Sequence, residues 1–397
     1  MATGWVPRIP LHARAAMSTD AERMIVRVTR DRGLPSAERH RHALLVPAND
    51  VVATELAGFA AGLVLDGQAP PDTPGFWILL PSDLAYLDEG DIVRIDPPRQ
   101  QVRVLYRRAA PHNSLLVTER CNSRCLMCSQ PPLTRDDSYL VEELLQAIPL
   151  MAPDTAELAI TGGETTLLQD DLIRLLTATR DYLPHTAVHV LSNGRLLAYL
   201  RYAEKIASVE HPDLMIGIPL YSDLPGRHDF VVQARGAFNQ TVRGVLNLGR
   251  YRQRIEIRVV LHRQTYSRLP QLARFIARNL PFVEQVALMG LEVTGYTRAN
   301  LEALWIDPND YQTELGQAVT LLDQAGMRVS IYNHQLCVLD RDLWPFACKS
   351  ISDWKNMYLT ECETCGVRSE CGGFFSSATV RHSAHIHPIK ADSAFGR

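Results

Sequence analysis

Between residues 114 and 293 the chain alternates six apolar runs with amphipathic stretches, a rhythm that narrows its possible folds more than any other feature. The runs are SLLVTER (114–120), ELAITGG (157–163), AVHVLSN (187–193), DLMIGIPLYS (213–222), IEIRVVLH (255–262) and VEQVALMGLEV (283–293). Helical periodicity lies between them over 138–151, 168–182, 195–208, 237–252 and 268–279. A strand followed by a helix of that length returns to pair in parallel through a right-handed crossover. Six such units predict an α/β fold, an open partial (β/α)6 TIM barrel, with chemistry at the C-terminal strand ends.

The flanks read differently. Residues 1–110 carry short alternating runs, MIVRVTR (24–30), FWILLP (76–81) and DIVRIDPPRQQVRVLYR (91–107), and predict a small β-rich N-terminal domain. Pro- and Gly-rich chain at 69–75 separates these pieces. The barrel core is assigned to 111–308. A C-terminal region, 309–397, contains one helix (309–325), a strand MRVSIYNH (327–334) and a cysteine-bearing extension.

With 397 residues, 46% of them hydrophobic, the chain can bury a large core. A net charge of −3 and the absence of a basic stripe argue against a nucleic-acid partner. The N-terminus lacks a continuous apolar segment, and AGFAAGLVL (57–65) is too short to span a bilayer. The expected location is cytoplasmic, with no membrane partner. Thiols stay reduced there, so clustered cysteines point to metal or catalysis.

Three of the eight cysteines, Cys121, Cys125 and Cys128, fall within CNSRCLMC, directly after the first barrel strand. A [4Fe–4S] cluster ordinarily takes four thiolates, so three leave one iron open to a chelating ligand. Structural zinc wants a closed set of four, and the nearest further ligand, His112, precedes the strand. ITGGETTLL (160–168) ends the second strand; Gly162 and Gly163 permit close backbone approach, and the Glu164 carboxylate can accept bonds from an ammonium group. Ser192 and Asn193 end the third strand and Ser222 the fourth; each reads either as a cofactor contact or as a turn or cap residue. Arg258, inside the fifth strand, needs a carboxylate, from a cofactor or from a structural Asp or Glu.

CNSRCLMC resembles the Cys-x3-Cys-x-Φ-Cys signature of radical S-adenosylmethionine (SAM) enzymes, and Gly162-Gly163-Glu164 resembles the segment with which that family holds the amino group of SAM. The resemblance implies a [4Fe–4S] cluster on Cys121, Cys125 and Cys128, SAM on the open iron, and reductive SAM cleavage followed by hydrogen abstraction. Met127 stands at the Φ position, where the family often packs an aromatic side chain on the adenine, and Thr165 stands where many members have proline. No catalytic residue beyond the cluster is read from the sequence.

CETCGVRSECGGFF (362–375) places Cys362, Cys365 and Cys371 in a Cys-x2-Cys-x5-Cys pattern, which Cys337 would complete to four thiolates. Iron–sulfur and zinc both suit four sulfurs. The pattern resembles the auxiliary-cluster segments of radical SAM peptide-modifying enzymes, which implies a second [4Fe–4S] cluster. Cys348 is the odd thiol, free or an alternative to Cys337. His382, His385 and His387 read as a solvated tail.

LLVTERCNSRCLMCSQPP (115–132), HDFVVQARGAFNQTVRGVLNL (228–248), SISDWKNMYL (350–359) and CGGFFSS (371–377) together resemble the C-type radical SAM maturases of His-Xaa-Ser peptide systems. That resemblance implies a ribosomally made precursor peptide or small protein as substrate, and a second radical SAM maturase as partner. An electron donor such as flavodoxin or ferredoxin would serve the cluster. The N-terminal domain would bind an extended peptide by strand addition at a sheet edge. Two alternatives stay open, a radical SAM enzyme acting on another protein or a small molecule, and a non-catalytic metal-bound scaffold that presents a peptide.

Overall fold

The structure, a computed structural model, describes residues 10–18, 20–47, 56–65, 75–349 and 357–390. Most of SISDWKNMYL, residues 350–356, and most of the Pro- and Gly-rich stretch, 69–74, lie outside the described residues.

The N-terminal strands are β1 (His12–Arg14), β2 (Ala16–Met17), β3 (Met24–Thr29), β4 (His42–Val46), β5 (Ala61–Leu65), β6 (Trp77–Leu80), β7 (Ile92–Asp96) and β8 (Gln101–Tyr106). They form one mixed sheet in the order β1-β8-β7-β3-β4-β5-β6-β2. Pro97–Arg99 is a single tight turn between β7 and β8. The two outermost strands are consecutive in the chain, with Ala15 alone between them. One bent segment therefore pairs with β8 through His12–Arg14 and with β6 through Ala16–Met17. The sheet thereby closes into a small barrel around Val26, Leu63, Ile78, Ile95 and Val102. Among the described residues closure consumes both edges, so strand addition at an edge of this sheet finds no site among them.

Eight further strands make the second sheet: β9 (His112–Thr118), β10 (Glu157–Gly162), β11 (Ala187–Leu191), β12 (Leu214–Pro219), β13 (Arg254–Leu261), β14 (Gln285–Gly290), β15 (Arg328–Tyr332) and β16 (Ala347–Cys348). Each pairs in parallel with the next, and the order runs straight from β9 to β16. The first six are the predicted open (β/α)6 arc. Crossover helices Tyr139–Ala147, Asp170–Tyr182, Leu200–Ala207, Ala237–Arg250 and Leu269–Asn279 cover its outside. Their buried leucines, isoleucines and valines merge with those of the strands into one core. The sheet also runs beyond residue 308, because Val329 and Ile331 of β15 join this core beside β14.

Ile92 and Tyr106 from the N-terminal barrel belong to the larger core, and the Tyr106 hydroxyl bonds Thr155 Oγ1 at 2.8 Å. Beside them Arg94 of β7 places Nη1 at 3.0 and 3.1 Å from the two carboxylate oxygens of Glu143 on the first crossover helix. Both side chains are buried. A buried ion pair contributes little net stability, but removing one partner strands the other charge. Glu143→Ala is expected to lower unfolding free energy by about 3–5 kcal/mol, while Arg94→Met with Glu143→Leu recovers most of it. Urea titration of both variants checks this.

Candidate functional site

The cysteine loop leaves β9 at the C-terminal edge of the sheet and is fastened from three sides. The amides of Arg124 and Leu126 donate to the carbonyls of Val232 and Val231 at 3.1 and 2.9 Å, at the end of helix Pro225–Val232. The Met127 carbonyl accepts from Thr297 Oγ1 at 3.2 Å, and the Cys128 carbonyl from the Tyr296 amide at 2.8 Å. On the third side Arg195 Nη1 reaches the Asn122 carbonyl at 2.5 Å and Ser123 Oγ at 3.1 Å, and Asn193 Nδ2 reaches Asn122 Oδ1 at 2.6 Å.

Burial pushes the Cys121 thiol up to about 11, with Glu164 and Cys128 adding to it, and the Cys125 thiol up to about 12, with Cys128 and Cys121 adding. Burial also raises Cys128. Three sulfurs that oppose one another's ionisation become thiolates together only beside a positive centre. Among the described residues no three His, Cys, Asp or Glu side chains are already gathered as a metal cage. The fit to an iron–sulfur group therefore rests on the donor chemistry and on the shared, half-buried loop.

Gly162 and Gly163 approach protein backbone closely. A Cβ on Gly162 would strike the Thr118 carbonyl, and one on Gly163 the Arg120 carbonyl. The amides of Gly163 and Glu164 donate to those carbonyls, each at 2.8 Å. Glu164 is fully buried, and its carboxylate accepts from Thr166 N at 3.0 Å, from the Thr166 hydroxyl, from Ser192 Oγ at 2.7 Å and from Asn193 N at 2.6 Å. Ser192 and Asn193 are thus turn residues that hold Glu164 and the cysteine loop. Ser222 likewise accepts from Leu224 N at 3.1 Å, in the manner of a cap. For Arg258 the structural carboxylate is Glu256, 2.5 Å from Nη1.

Met127, at the position that the resemblance sets against an adenine ring, packs with Tyr221, Val231 and Leu304. Tyr221 stacks on His228 with ring centroids 5.8 Å apart and faces His262 at 6.5 Å. Burial raises the pKa of its phenol, Cys125 and Cys128 raise it further, and Arg258 opposes them.

The C-terminal thiols also share one patch. Cys337, Cys365 and Cys371 pack with Leu336, Val367 and Ile389. Burial pushes Cys337 up to about 11, and Cys371 and Cys362 add to it; Cys362 in turn is raised by burial and by Cys371 and Cys365. Cys348 sits on β16, its Sγ 3.7 Å from the Phe346 carbonyl. His382, His385 and His387 are exposed, as expected of a solvated tail, but the chain that carries them is anchored. Ser383 Oγ and the Ala384 amide donate to Asp307 at 2.6 and 2.9 Å, and Ile389 is buried.

Residues 115–276 match the sequence profile of the radical SAM superfamily. This stretch is a radical SAM superfamily domain. A GTP 3′,8-cyclase of Petrotoga mobilis is 26% identical over 145 residues, which are 35% of this chain and 43% of that protein. Streptococcus suis SuiB bound to S-adenosylmethionine is similar at 16% identity and a TM-score of 0.45, over 57% of this chain and 50% of that one. The structure of anSMEcpe with bound AdoMet is similar at 17% identity and a TM-score of 0.39, over 55% and 63% of the two chains. The chain spans half or less of the length of the cyclase and of SuiB. Among the described residues of the chain no helix is long and apolar enough to cross a membrane.

Arg195 and Asn122, which sequence reasoning passed over, are the radical SAM domain's clasp on the cysteine loop; Asn122 between two cysteines and Arg195 after Asn-Gly were the available signals. Bonds from a charged donor contribute about 1.5–3 kcal/mol. Arg195→Ala is therefore expected to open the loop roughly ten- to a hundredfold more often, read as faster thiol labelling in metal-free protein, with the thermal midpoint lowered by only a few degrees.

Burial also lowers His228 to about 4, His262 to about 3 and His334 to about 4. Below about 6.5 the unfolded chain takes up protons that these folded rings refuse, so stability falls with pH from there toward 4. Urea midpoints are expected to decline across that window and to level off above it.

Proposed function

We propose that the chain is an iron–sulfur-dependent radical SAM enzyme that modifies a ribosomally made peptide. One observation carries the enzymatic part. The cysteine loop and Gly162–Glu164 lie at adjacent strand ends inside the matched domain, where Gly163 bonds Thr118 at the end of β9 and Glu164 bonds Arg120, the residue before Cys121. Cys121, Cys125 and Cys128 would hold a [4Fe–4S] cluster one ligand short, which SAM completes. Bound together, cluster and SAM supply one-electron cleavage of the sulfonium and hydrogen abstraction from the substrate.

The residues of the chain do the positioning. Arg195 and Asn193 hold Asn122 and so fix the loop between Cys121 and Cys125. Glu164 spends its carboxylate on Thr166, Ser192 and Asn193, which ties the ends of β10 and β11 together, and its amide bonds the Arg120 carbonyl after β9. Met127, Tyr221, Val231 and Leu304 form an apolar backing that excludes water behind the loop. Arg258, held by Glu256, keeps a positive charge near the Tyr221 phenol.

Cys337, Cys362, Cys365 and Cys371 would hold a second, auxiliary [4Fe–4S] cluster; their shared patch and all-sulfur donor set support this. The peptide substrate, of the His-Xaa-Ser kind, rests on the resemblance of residues 115–132, 228–248 and 371–377 to the C-type maturases. A second radical SAM maturase and a flavodoxin- or ferredoxin-like electron donor complete the reading, with the work done in the cytoplasm.

Anaerobically reconstituted and reduced protein is expected to release 5′-deoxyadenosine from SAM, and Cys125→Ala to abolish this. Co-expression with a His-Xaa-Ser peptide should change the peptide's mass. Cys365→Ala should lower iron from about eight to about four atoms per chain. A wild-type protein carrying its full iron yet releasing no 5′-deoxyadenosine would overturn the enzymatic reading.

A further inference from the structure

On the rim that carries the cysteine loop, two loops part around a cleft of about 720 Å3. One wall is helix Pro225–Val232, which follows β12; the other is the turn Tyr266–Arg268, which follows β13. Leu224 and Phe230 line it and are 43% and 52% exposed, an unusual degree of exposure for side chains this large and apolar. Arg227 Nη1 bonds Ser267 Oγ at 3.2 Å, from one wall to the other, and Arg263 Nε bonds the Trp305 carbonyl at 3.0 Å.

The lining of this cleft is positively charged. Arg268, next to the cleft, is paired with Asp223. Arg227 and Arg263 have no carboxylate partner among the described residues, and no lining residue is acidic. Each guanidinium carries five donors, of which these contacts use one. The chain as a whole is slightly negative, so the cationic character is local. Apolar side chains beside unpaired guanidinium groups suit a ligand that alternates carboxylates with bulky apolar groups.

We propose that this cleft docks an acidic, apolar-rich extended segment of the peptide substrate. The proposal rests on the reading of the chain as a peptide-modifying enzyme and names the surface that recognises the peptide. Position supports it. The docking wall ends at Val231 and Val232, whose carbonyls accept the amides of Leu126 and Arg124. A peptide held against this helix therefore lies one hydrogen-bonded layer from the cysteine loop, where the chemistry is placed.

The test uses the full chain and three fluorescein-labelled synthetic peptides, alternating Phe with Glu, with Ser or with Lys. The Glu peptide is expected to bind best by anisotropy and to weaken when salt rises from about 50 to about 500 mM. Arg227→Glu with Arg263→Glu should weaken it about tenfold or more and strengthen the Lys peptide. Phe230→Ala should weaken all three peptides. These residues are exposed, so urea midpoints should not move; Arg227→Gln with Arg263→Gln serves if charge reversal impairs folding. Equal binding of the three peptides, or charge reversal without effect, would overturn the proposal. So would a labelled single-stranded oligonucleotide that binds more tightly than the Glu peptide through the same arginines, since the cleft would then be a phosphate site.

Release of 5′-deoxyadenosine without peptide, measured on the same variants, separates the two levels. Release that persists while arginine-dependent peptide binding is absent overturns the docking site alone. Arginine-dependent binding in a protein that never cleaves SAM overturns the radical reading alone.

Discussion

The site depends on one buried carboxylate. Glu164 is fully enclosed, and a charge taken out of water is tolerable only when its lone pairs are occupied. Donors from the turn after β10 and from the end of β11 occupy them, through Thr166, Ser192 and Asn193. Because Asn193 also grips Asn122, and the Glu164 amide bonds Arg120, the same knot fixes the loop that follows β9. Three neighbouring strands thus end at one anionic point. This is an economical way to hold a loop of three closely spaced cysteines in place, since regular structure gives it no support.

Around that knot the fold supplies rigidity from two directions. The parallel sheet is packed by helices on its outside, which leaves the C-terminal strand ends as the accessible region. The N-terminal barrel is no loose appendage, because Ile92 and Tyr106 enter the main core and Arg94 pins the first crossover helix through Glu143. Among the described residues its sheet closes on itself through the bend at Ala15, which leaves no free edge there of the kind that peptide-binding sheets use. At the barrel rim, by contrast, exposed apolar and cationic side chains coincide.

Much of this was legible in the sequence. Strands of a parallel sheet are buried on both faces, so β9 to β14 read as unbroken apolar runs and were found within a few residues of their ends. Helix Pro225–Val232 was not anticipated, since Pro225 and Gly226 open it and its apolar side chains do not form one stripe. The cysteine spacing pointed to chemistry, but the residues that fasten the loop are polar and dispersed, and only the fold brings Asn122, Arg195 and Asn193 together. Ser192, Asn193, Ser222 and Arg258 had both a cofactor reading and a structural one. Partners within the chain account for each: Glu164 and Asn122, the Leu224 amide, and Glu256. The apolar packing of Met127 could not be read from the sequence, because its neighbours in space, Val231 and Leu304, lie more than a hundred residues away.

The C-terminal thiols raise a question of stability as much as of electron transfer. From Met357 to Lys390 the described chain forms one isolated bridge, Met357 with Phe374, and short 3₁₀ turns. Its burial is modest, resting on Val367, Phe374, Ile389 and a few neighbours. A segment with so little hydrogen-bonded framework ordinarily needs a covalent or metal staple. Bonds to sulfur can supply that free energy directly, because ligand binding to such a site is folding energy. The same segment covers the ends of β13 to β15, with Phe374, Ser377 and His382 lining a small cavity beside Leu261, Gly290 and Asn333. A metal centre on Cys337, Cys362, Cys365 and Cys371 would therefore hold down the cover of the barrel mouth whatever its redox role. Its loss would loosen that cover while leaving the knot at Glu164, on the opposite side of the sheet order, intact.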